Sequence, residues 1–276
     1  MRPIGLHLRL EEHLSELFEK ALRLKSSIFQ CFLLTQGSNQ YLKISEEDIK
    51  KCQQLSKKFD AVYLHASYWV NLAGKRNNGW RAFQKEMALG KLLGFTHIII
   101  HPGSATGCET KDEGIVYLSK ALNKALSLEK DMKIVLENAA HAKKTVGGDL
   151  ADFAKLLTLL NEPERIFFCI DTAHAHSFGY DIVDEKQQDL FLEKVEQIIG
   201  KDKLVLLHLN ETSEKRGSFI DHHAALQKGQ IGTAALQRFM KHPLCKDVPI
   251  ILEIPLVETE AEEKKLLTLA KSWDKS

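Results

Sequence analysis

The chain has 276 residues, 44% of them hydrophobic and 27% charged, with a formal net charge of +1. Length and apolar content suffice for one large α/β domain spanning 1–276. The near-neutral charge excludes a global electrostatic case for nucleic acid, and no charge-free apolar run is long enough for a membrane helix. The five cysteines (Cys31, Cys52, Cys108, Cys169, Cys245) are odd in number, scattered and without a CxxC pair, as in a reduced chain. Met1-Arg2-Pro3 leads straight into Ile4-Gly5-Leu6-His7 with no secretory h-region. A cytoplasmic monomer with no membrane contact is the expectation.

Ile4 to Leu10 reads as a first strand, followed by a helix from Glu11 to Lys25 with Leu14, Leu17, Phe18 and Leu22 on one face. Ile28 to Leu34 is a second apolar run, ending in a polar loop, Thr35 to Gln40. Ser45-Glu46-Glu47-Asp48 opens a helix with a serine cap and an acidic first turn. Ala61 to Leu64 is a third strand that ends at His65, before a long loop, 66–79, and a helix from about Trp80 to Leu93. The fourth strand, Thr96 to Ile100, ends at His101-Pro102-Gly103, and a helix runs on to Glu129. The fifth, Met132 to Leu136, ends at Glu137-Asn138; a loop with Gly147-Gly148 leads to a helix, Asp149 to Leu160.

Ile166 to Ile170 is the sixth strand. It stops at Asp171, and His174 and His176 follow in a loop before Gly179. A helix over Asp184 to Ile199 leads to the seventh strand, Leu204 to Leu207, which ends at His208. A polar loop with Asp221-His222-His223 reaches a helix near Ala234. The eighth strand, Val248 to Leu252, ends at Glu253, and a helix from Glu258 to Lys271 follows. Short, continuously apolar strands alternating with helices indicate a parallel sheet covered on both faces. Eight repeats with no GxGxxG after the first strand favour a closed (β/α)8 TIM-type barrel over an open doubly wound sheet.

In such a barrel the C-terminal strand ends converge on the active-site face. Strands three to eight end at His65, His101, Glu137, Asp171, His208 and Glu253, and the loops add His174, Asp221 and His223. Any one of these alone is more often a hydrogen-bonded loop residue or a helix cap. Six successive strands ending in potential metal ligands is a different matter, because the fold brings those positions together. Five imidazoles and four carboxylates exceed the needs of one tetrahedral zinc and fit a multinuclear cluster of zinc, manganese or iron. Closely spaced metals serve in-line displacement at phosphorus.

Several segments together resemble the endonuclease IV family. They are Leu64-His65-Ala66-Ser67-Tyr68, His101-Pro102-Gly103-Ser104, Leu136-Glu137-Asn138, Asp171-Thr172-Ala173-His174-Ala175 with Gly179-Tyr180-Asp181, His208-Leu209-Asn210, Gly217-Ser218 with Asp221-His222-His223, and Leu252-Glu253. The resemblance covers nearly the whole chain in order. It implies a zinc-dependent apurinic/apyrimidinic (AP) endonuclease of DNA repair, on a TIM barrel with three zinc ions. One would be held by His65, His101 and Glu137. A second would take Glu137 as a bridge with Asp171, His208 and Glu253, and the third His174, Asp221 and His223. The implied reaction hydrolyses the phosphodiester 5′ to an abasic site in damaged double-stranded DNA, leaving a 3′-hydroxyl. A metal-bound hydroxide would attack phosphorus, oriented by Glu137 and Glu253 as the catalytic carboxylates.

Recognition loops depart from that pattern. Gln36 to Tyr41 stands where the family has a basic residue and an aromatic, Ala140-His141-Ala142-Lys143-Lys144 replaces a small turn, and His222 replaces an arginine. Tyr68 and Trp69 fall where the family probes the gap in the duplex. Lys75, Arg76, Lys143, Lys144, Lys215 and Arg216 are the local basic groups expected to contact phosphate, with His222 beside them. Other readings of the same residues are a sugar isomerase or epimerase on a related barrel, a phosphoesterase with a non-DNA substrate, and a non-catalytic barrel that keeps metals for stability. The first of these needs one or two metals and leaves His174, Asp221 and His223 without a role.

Overall fold

The structure, a computed structural model, describes residues 2–9, 13–33, 44–76, 78–255, 257 and 259–275. The expected strand ends at Leu10 and Leu34, the loop Thr35 to Gln40, and the helix start at Glu258 lie outside these residues. Eight parallel strands form the sheet: β1 (Ile4–Leu6), β2 (Ile28–Cys31), β3 (Ala61–His65), β4 (His97–Ile100), β5 (Lys133–Glu137), β6 (Ile166–Asp171), β7 (Leu204–His208) and, after a short hairpin, β10 (Ile250–Leu252). The hairpin is β8 (Glu211–Thr212) against β9 (His223–Ala224), antiparallel. Between the strands run α1 (Leu14–Arg23), α2 (Glu46–Ser56), α3 (Asn78–Leu93), α4 (Lys111–Leu128), α5 (Leu150–Leu157), α6 (Thr172–Phe178), α7 (Glu185–Ile198) and α8 (Thr233–Lys241), with α9 (Glu260–Lys275) last.

The sheet order is β1-β10-β7-β6-β5-β4-β3-β2, and the two outer strands meet at a parallel bridge between His7 and Gln30. There the Leu8 amide donates to the Gln30 carbonyl at 2.7 Å, and the His7 amide donates to Leu252 at 3.0 Å, so the barrel is nearly closed. Gly5 permits the approach. A Cβ at that position would lie 2.2 Å from the Ile28 carbonyl oxygen.

Sequence dictates the helix starts. Ser45, Thr110, Asp149 and Asp184 each cap a helix by accepting from a backbone amide two or three residues ahead. The faces turned inward are apolar: on α1, Leu14, Leu17, Phe18 and Ala21 are buried. One large core fills the space between helices and sheet, and a second, smaller one plugs the barrel. The plug is Ile28, Ala61, Tyr63, Ile99, Val135, Cys169, Leu206 and Ile251.

Two expectations are corrected. The stretch after Asp171 is a helix, α6, and not a loop. Asp171 Oδ1 accepts from the His174 amide at 2.8 Å as its cap, and Gly179, at φ +130°, closes it. The polar segment after His208 is also structured, by the β8–β9 hairpin. The buried carboxylate of Glu211 holds it, accepting from the Ile231 and Gly232 amides at 2.8 Å each.

Candidate active site

Side chains on a strand alternate faces, so the residue two beyond an inward one also points inward. Two residues past Ile28, Tyr63, Ile99, Val135, Cys169, Leu206 and Ile251 come Gln30, His65, His101, Glu137, Asp171, His208 and Glu253. Two past Gly5 comes His7. The apolar plug is therefore capped by one polar residue from each of the eight strands. Six of them are the strand-end residues expected from the sequence. His7 and Gln30 were not expected, because they sit inside runs that read as continuously apolar. Their inward facing follows from the register through Gly5 and Ile28.

Glu137 is the centre of this ring. Its Oε2 lies 3.0 Å from His65 Nε2 and 3.7 Å from His101 Nε2, while its Oε1 lies 3.0 Å from His208 Nδ1. One carboxylate thus faces two groups of donors with different oxygens. His208 Nδ1 is also 3.4 Å from Glu253 Oε2 and 3.8 Å from Asp171 Oδ2. The third group comes from outside the barrel strands. His174 stands on α6, with Nε2 3.1 Å from Asp221 Oδ1, and His223 Nε2 is 3.6 Å from the same oxygen and from Asp171 Oδ2. Donor atoms fall into four overlapping sets, each within 4.8 Å: His65-His101-Glu137, His101-His174-Asp221, Asp171-His174-His223, and Glu137-Asp171-His208-Glu253. All nine residues that the sequence pointed to are brought together.

The residues behind the ring hold it in place. Asn210 donates to Asp171 Oδ2 at 2.6 Å and to Glu253 Oε2 at 3.2 Å, while its Oδ1 accepts from the Glu253 amide at 2.8 Å. Asn138 brackets the Asp171 backbone with both ends of its amide. Burial favours neutral carboxyls. At Glu137 that effect is outweighed by His208, His101 and His174, which hold its carboxyl well below the usual range. At Asp171 burial wins and the pKa is raised. Burial drives His101 down to about 4, whereas the carboxylates around His174 overcome burial and raise it well above an ordinary imidazole.

The donor set fits a metal. His174 Nε2 and His223 Nε2 are buried without a hydrogen-bond partner, and both face carboxylate oxygen. Imidazole nitrogens buried and turned onto carboxylate oxygens form a donor set that suits a cation between them. The ring opens into a cavity of 790 Å³ lined by His7, His65, His101, His174, Asp221, His223 and Glu253, with Phe32, Tyr68, His141 and His222 towards its rim.

Rim residues fare unevenly. Tyr68 and Trp69 are 77% and 61% exposed, at the tip of a turn in which the Val70 amide donates to the Ser67 carbonyl at 2.9 Å. Buried Glu86 anchors that turn, accepting from the Ser67 amide and hydroxyl at 2.9 and 2.6 Å. Lys75, Arg76, Lys143, Lys144, Lys215, Arg216 and His222 are all exposed. Of these, Lys144 donates to the Cys108 carbonyl, Arg216 is ion-paired with Asp181, Lys75 lies 3.9 Å from Glu113, and His222 Nδ1 lies 3.2 Å from Glu214. The segment Gln36 to Tyr41 lies outside the described residues. All five cysteines are buried and form no disulfide. No described helix is long and apolar enough to cross a membrane.

A barrel of this kind, with its donors at the C-terminal strand ends, matches the family model described as a xylose isomerase-like TIM barrel over residues 18–273. Within that class the likeness is specific. "Probable endonuclease 4" of Clostridium botulinum is 32% identical over 284 aligned positions that cover 100% of both chains, and that of Thermosipho africanus is 34% identical over 76% of this chain and 77% of its own length. The crystal structure of endonuclease IV from Thermus thermophilus superposes with a TM-score of 0.82 at 26% identity, covering 98% of each chain. The chain belongs to the endonuclease IV family.

Proposed function

We propose that this chain is a zinc-dependent AP endonuclease of DNA repair, cutting the phosphodiester 5′ to an abasic site in duplex DNA and leaving a 3′-hydroxyl. The observation that carries the reading is the convergence of nine imidazole and carboxylate donors, six of which line one cavity while Glu137, Asp171 and His208 lie buried behind them. Three zinc ions would be held by His65, His101 and Glu137; by Glu137, Asp171, His208 and Glu253; and by His174, Asp221 and His223. Zinc in such a site supplies Lewis acidity, acidifying water and stabilising charge that develops on phosphoryl oxygens.

The chain's own residues do the rest. Glu137 presents one oxygen to each of two donor groups, and so spaces whatever those groups hold. Glu253 is fixed by Asn210 at both its amide and its carboxylate, and would orient the attacking oxygen beside Glu137. A recessed floor requires the abasic nucleotide to leave the duplex stack before its phosphate can reach the donors. The exposed Tyr68 and Trp69 are placed to occupy the gap it leaves, and Lys75, Arg76, Lys143 and Lys215 to meet backbone phosphates. The third donor group favours this chemistry over sugar isomerisation, which has no use for it. The chain is expected to act as a cytoplasmic monomer.

The test is a short duplex carrying one abasic analogue, beside an undamaged control, before and after strong chelation. Chelator-sensitive incision confined to the lesion, with a 3′-hydroxyl product, is the expected result. Zinc-loaded protein that leaves the lesion uncut would point to another phosphoester substrate.

A further inference from the structure

The imidazoles around the cavity are not all held in the same way. His65 Nδ1 donates to the Ala66 carbonyl at 2.8 Å, His174 Nδ1 to Asn138 at 2.9 Å, and His223 Nδ1 to Glu253 at 3.1 Å. In each, a backbone acceptor takes the proton on Nδ1, although Glu137 Oε1 also lies 3.2 Å from Nδ1 of His174, and Nε2 faces carboxylate oxygen. His208 is reversed: its Nδ1 faces Glu137 and Glu253, and its Nε2 lies 2.9 Å from the side-chain oxygen of Gln30.

The orientation of the Gln30 amide follows from its other contacts. Its nitrogen is 2.6 Å from Glu253 Oε1 and 2.8 Å from His7 Nδ1. A carboxylate oxygen only accepts, so the NH2 group must face Glu253, and the carbonyl oxygen must face His208. That oxygen also only accepts, which places a proton on His208 Nε2 and leaves Nδ1, facing the carboxylates, as the nitrogen that would give its lone pair to a bound cation. The amide is wholly buried, so water cannot take over either bond.

We propose that Gln30 is a positioning residue for the ion held by Glu137, Asp171, His208 and Glu253: it fixes the reversed tautomer of His208 and braces Glu253 through one amide. The proposal rests on the metal reading given above. Of the five imidazole donors, three are set by the main chain, which a side-chain substitution cannot remove. His208 is set by a replaceable side chain on β2, a strand that supplies no ligand. Partners of this kind typically change metal affinity by about 10- to 100-fold.

The test is Gln30→Met, which keeps approximate length and removes both hydrogen-bonding ends. Zinc affinity is read by competition with a chromophoric chelator, metal content by elemental analysis, and the fold by thermal unfolding in excess chelator. Expected is an affinity loss of about 10- to 100-fold for one ion, with the others unchanged. Unaltered affinity for every ion in a folded variant overturns the proposal. Independently of any variant, long-range ¹H–¹⁵N spectra of histidine-labelled, zinc-loaded wild-type protein should show His208 protonated at Nε2, and His65, His174 and His223 at Nδ1. His208 protonated at Nδ1 overturns the proposal. Wild-type protein that takes up no metal overturns the reading beneath it, a result distinct from both.

Discussion

Around the mouth of the barrel, the ring and the rim are held by different means. His65, Glu137, Asp171 and His208 are buried on strands paired on both sides, and their positions follow from the sheet register. Tyr68 and Trp69 stand on a turn tied to the body at Ser67, and Lys143 and Lys215 form no ion pair among the described residues. A change in the ring therefore alters chemistry at a fixed geometry. A change in the rim alters affinity and substrate choice while the donors stay where they are, which is how a diverged recognition surface can coexist with a complete donor set.

The sharpest way to break this comparison is Glu137→Gln. It keeps the shape and removes the charge shared by two donor groups. Incision of an abasic duplex should fall by about 100- to 1,000-fold, the scale on which a preorganised charge-stabilising group acts. Duplex affinity, read by fluorescence anisotropy, should change far less. Comparable losses in both measurements would merge ring and rim into one unit.

Trp69→Ala addresses the other side. Stacking of a base on an aromatic ring is worth about 1–3 kcal/mol, so binding to the abasic duplex should weaken by roughly 5- to 150-fold. Zinc content should be unchanged, and a variant that lost zinc would show the turn to be part of the ring.

Burial alone does not decide how an imidazole titrates, and the two ends of the barrel show this. His174, among carboxylates, is raised; His97, buried at the start of β4 against Tyr63 and near Lys133, is pushed down to about 3 by burial and by that lysine. Unfolded, His97 titrates near 6.5. Between those values the unfolded chain binds the extra proton, so the stabilisation is complete above about 6.5 and is lost as pH falls towards 3, by about 1.4 kcal/mol per pH unit. His97→Gln in chelator-treated protein should flatten the decline in denaturation midpoint across that window, and an unchanged slope would exclude His97 as its source.

The smallest effect separates two adjacent lysines. Lys143→Ala should lower the salt slope of duplex binding by about one phosphate contact. Lys144→Ala, whose ammonium is turned onto the Cys108 carbonyl, should cost stability and leave the slope alone. The same slope change in both would mean that Lys144 swings out to meet the duplex.

Much of this was legible in the sequence. Strands buried on both faces read as apolar runs, and a run that stops at a histidine or carboxylate marks its own C-terminal end, as at Leu64-His65 or Leu136-Glu137. His7 and Gln30 escaped notice because they do not end their runs; their inward facing emerges only once the register through Gly5 and Ile28 is known. Helix α6 was hidden by its own chemistry. Asp171 reads as a strand-end donor and His174 as a loop donor, yet an aspartate before Thr-Ala-His-Ala and a glycine after Phe178 are also a cap and a stop. Two-residue strands such as β8 and β9 carry too little periodicity to be seen.

The two-residue step between plug and ring also sets which length changes the gene can survive. Inserting one residue before Glu137 within β5 would turn it out among the helices and bring Leu136 into the cavity. Inserting two would restore the facing but lift the carboxylate by about 6.6 Å, beyond reach of His65 and His208. Neither parity is tolerated in any strand that contributes to the ring. Lineages descended from this chain are therefore expected to gain and lose residues on the helical side and in the rim loops, with the spacing from plug to donor held constant.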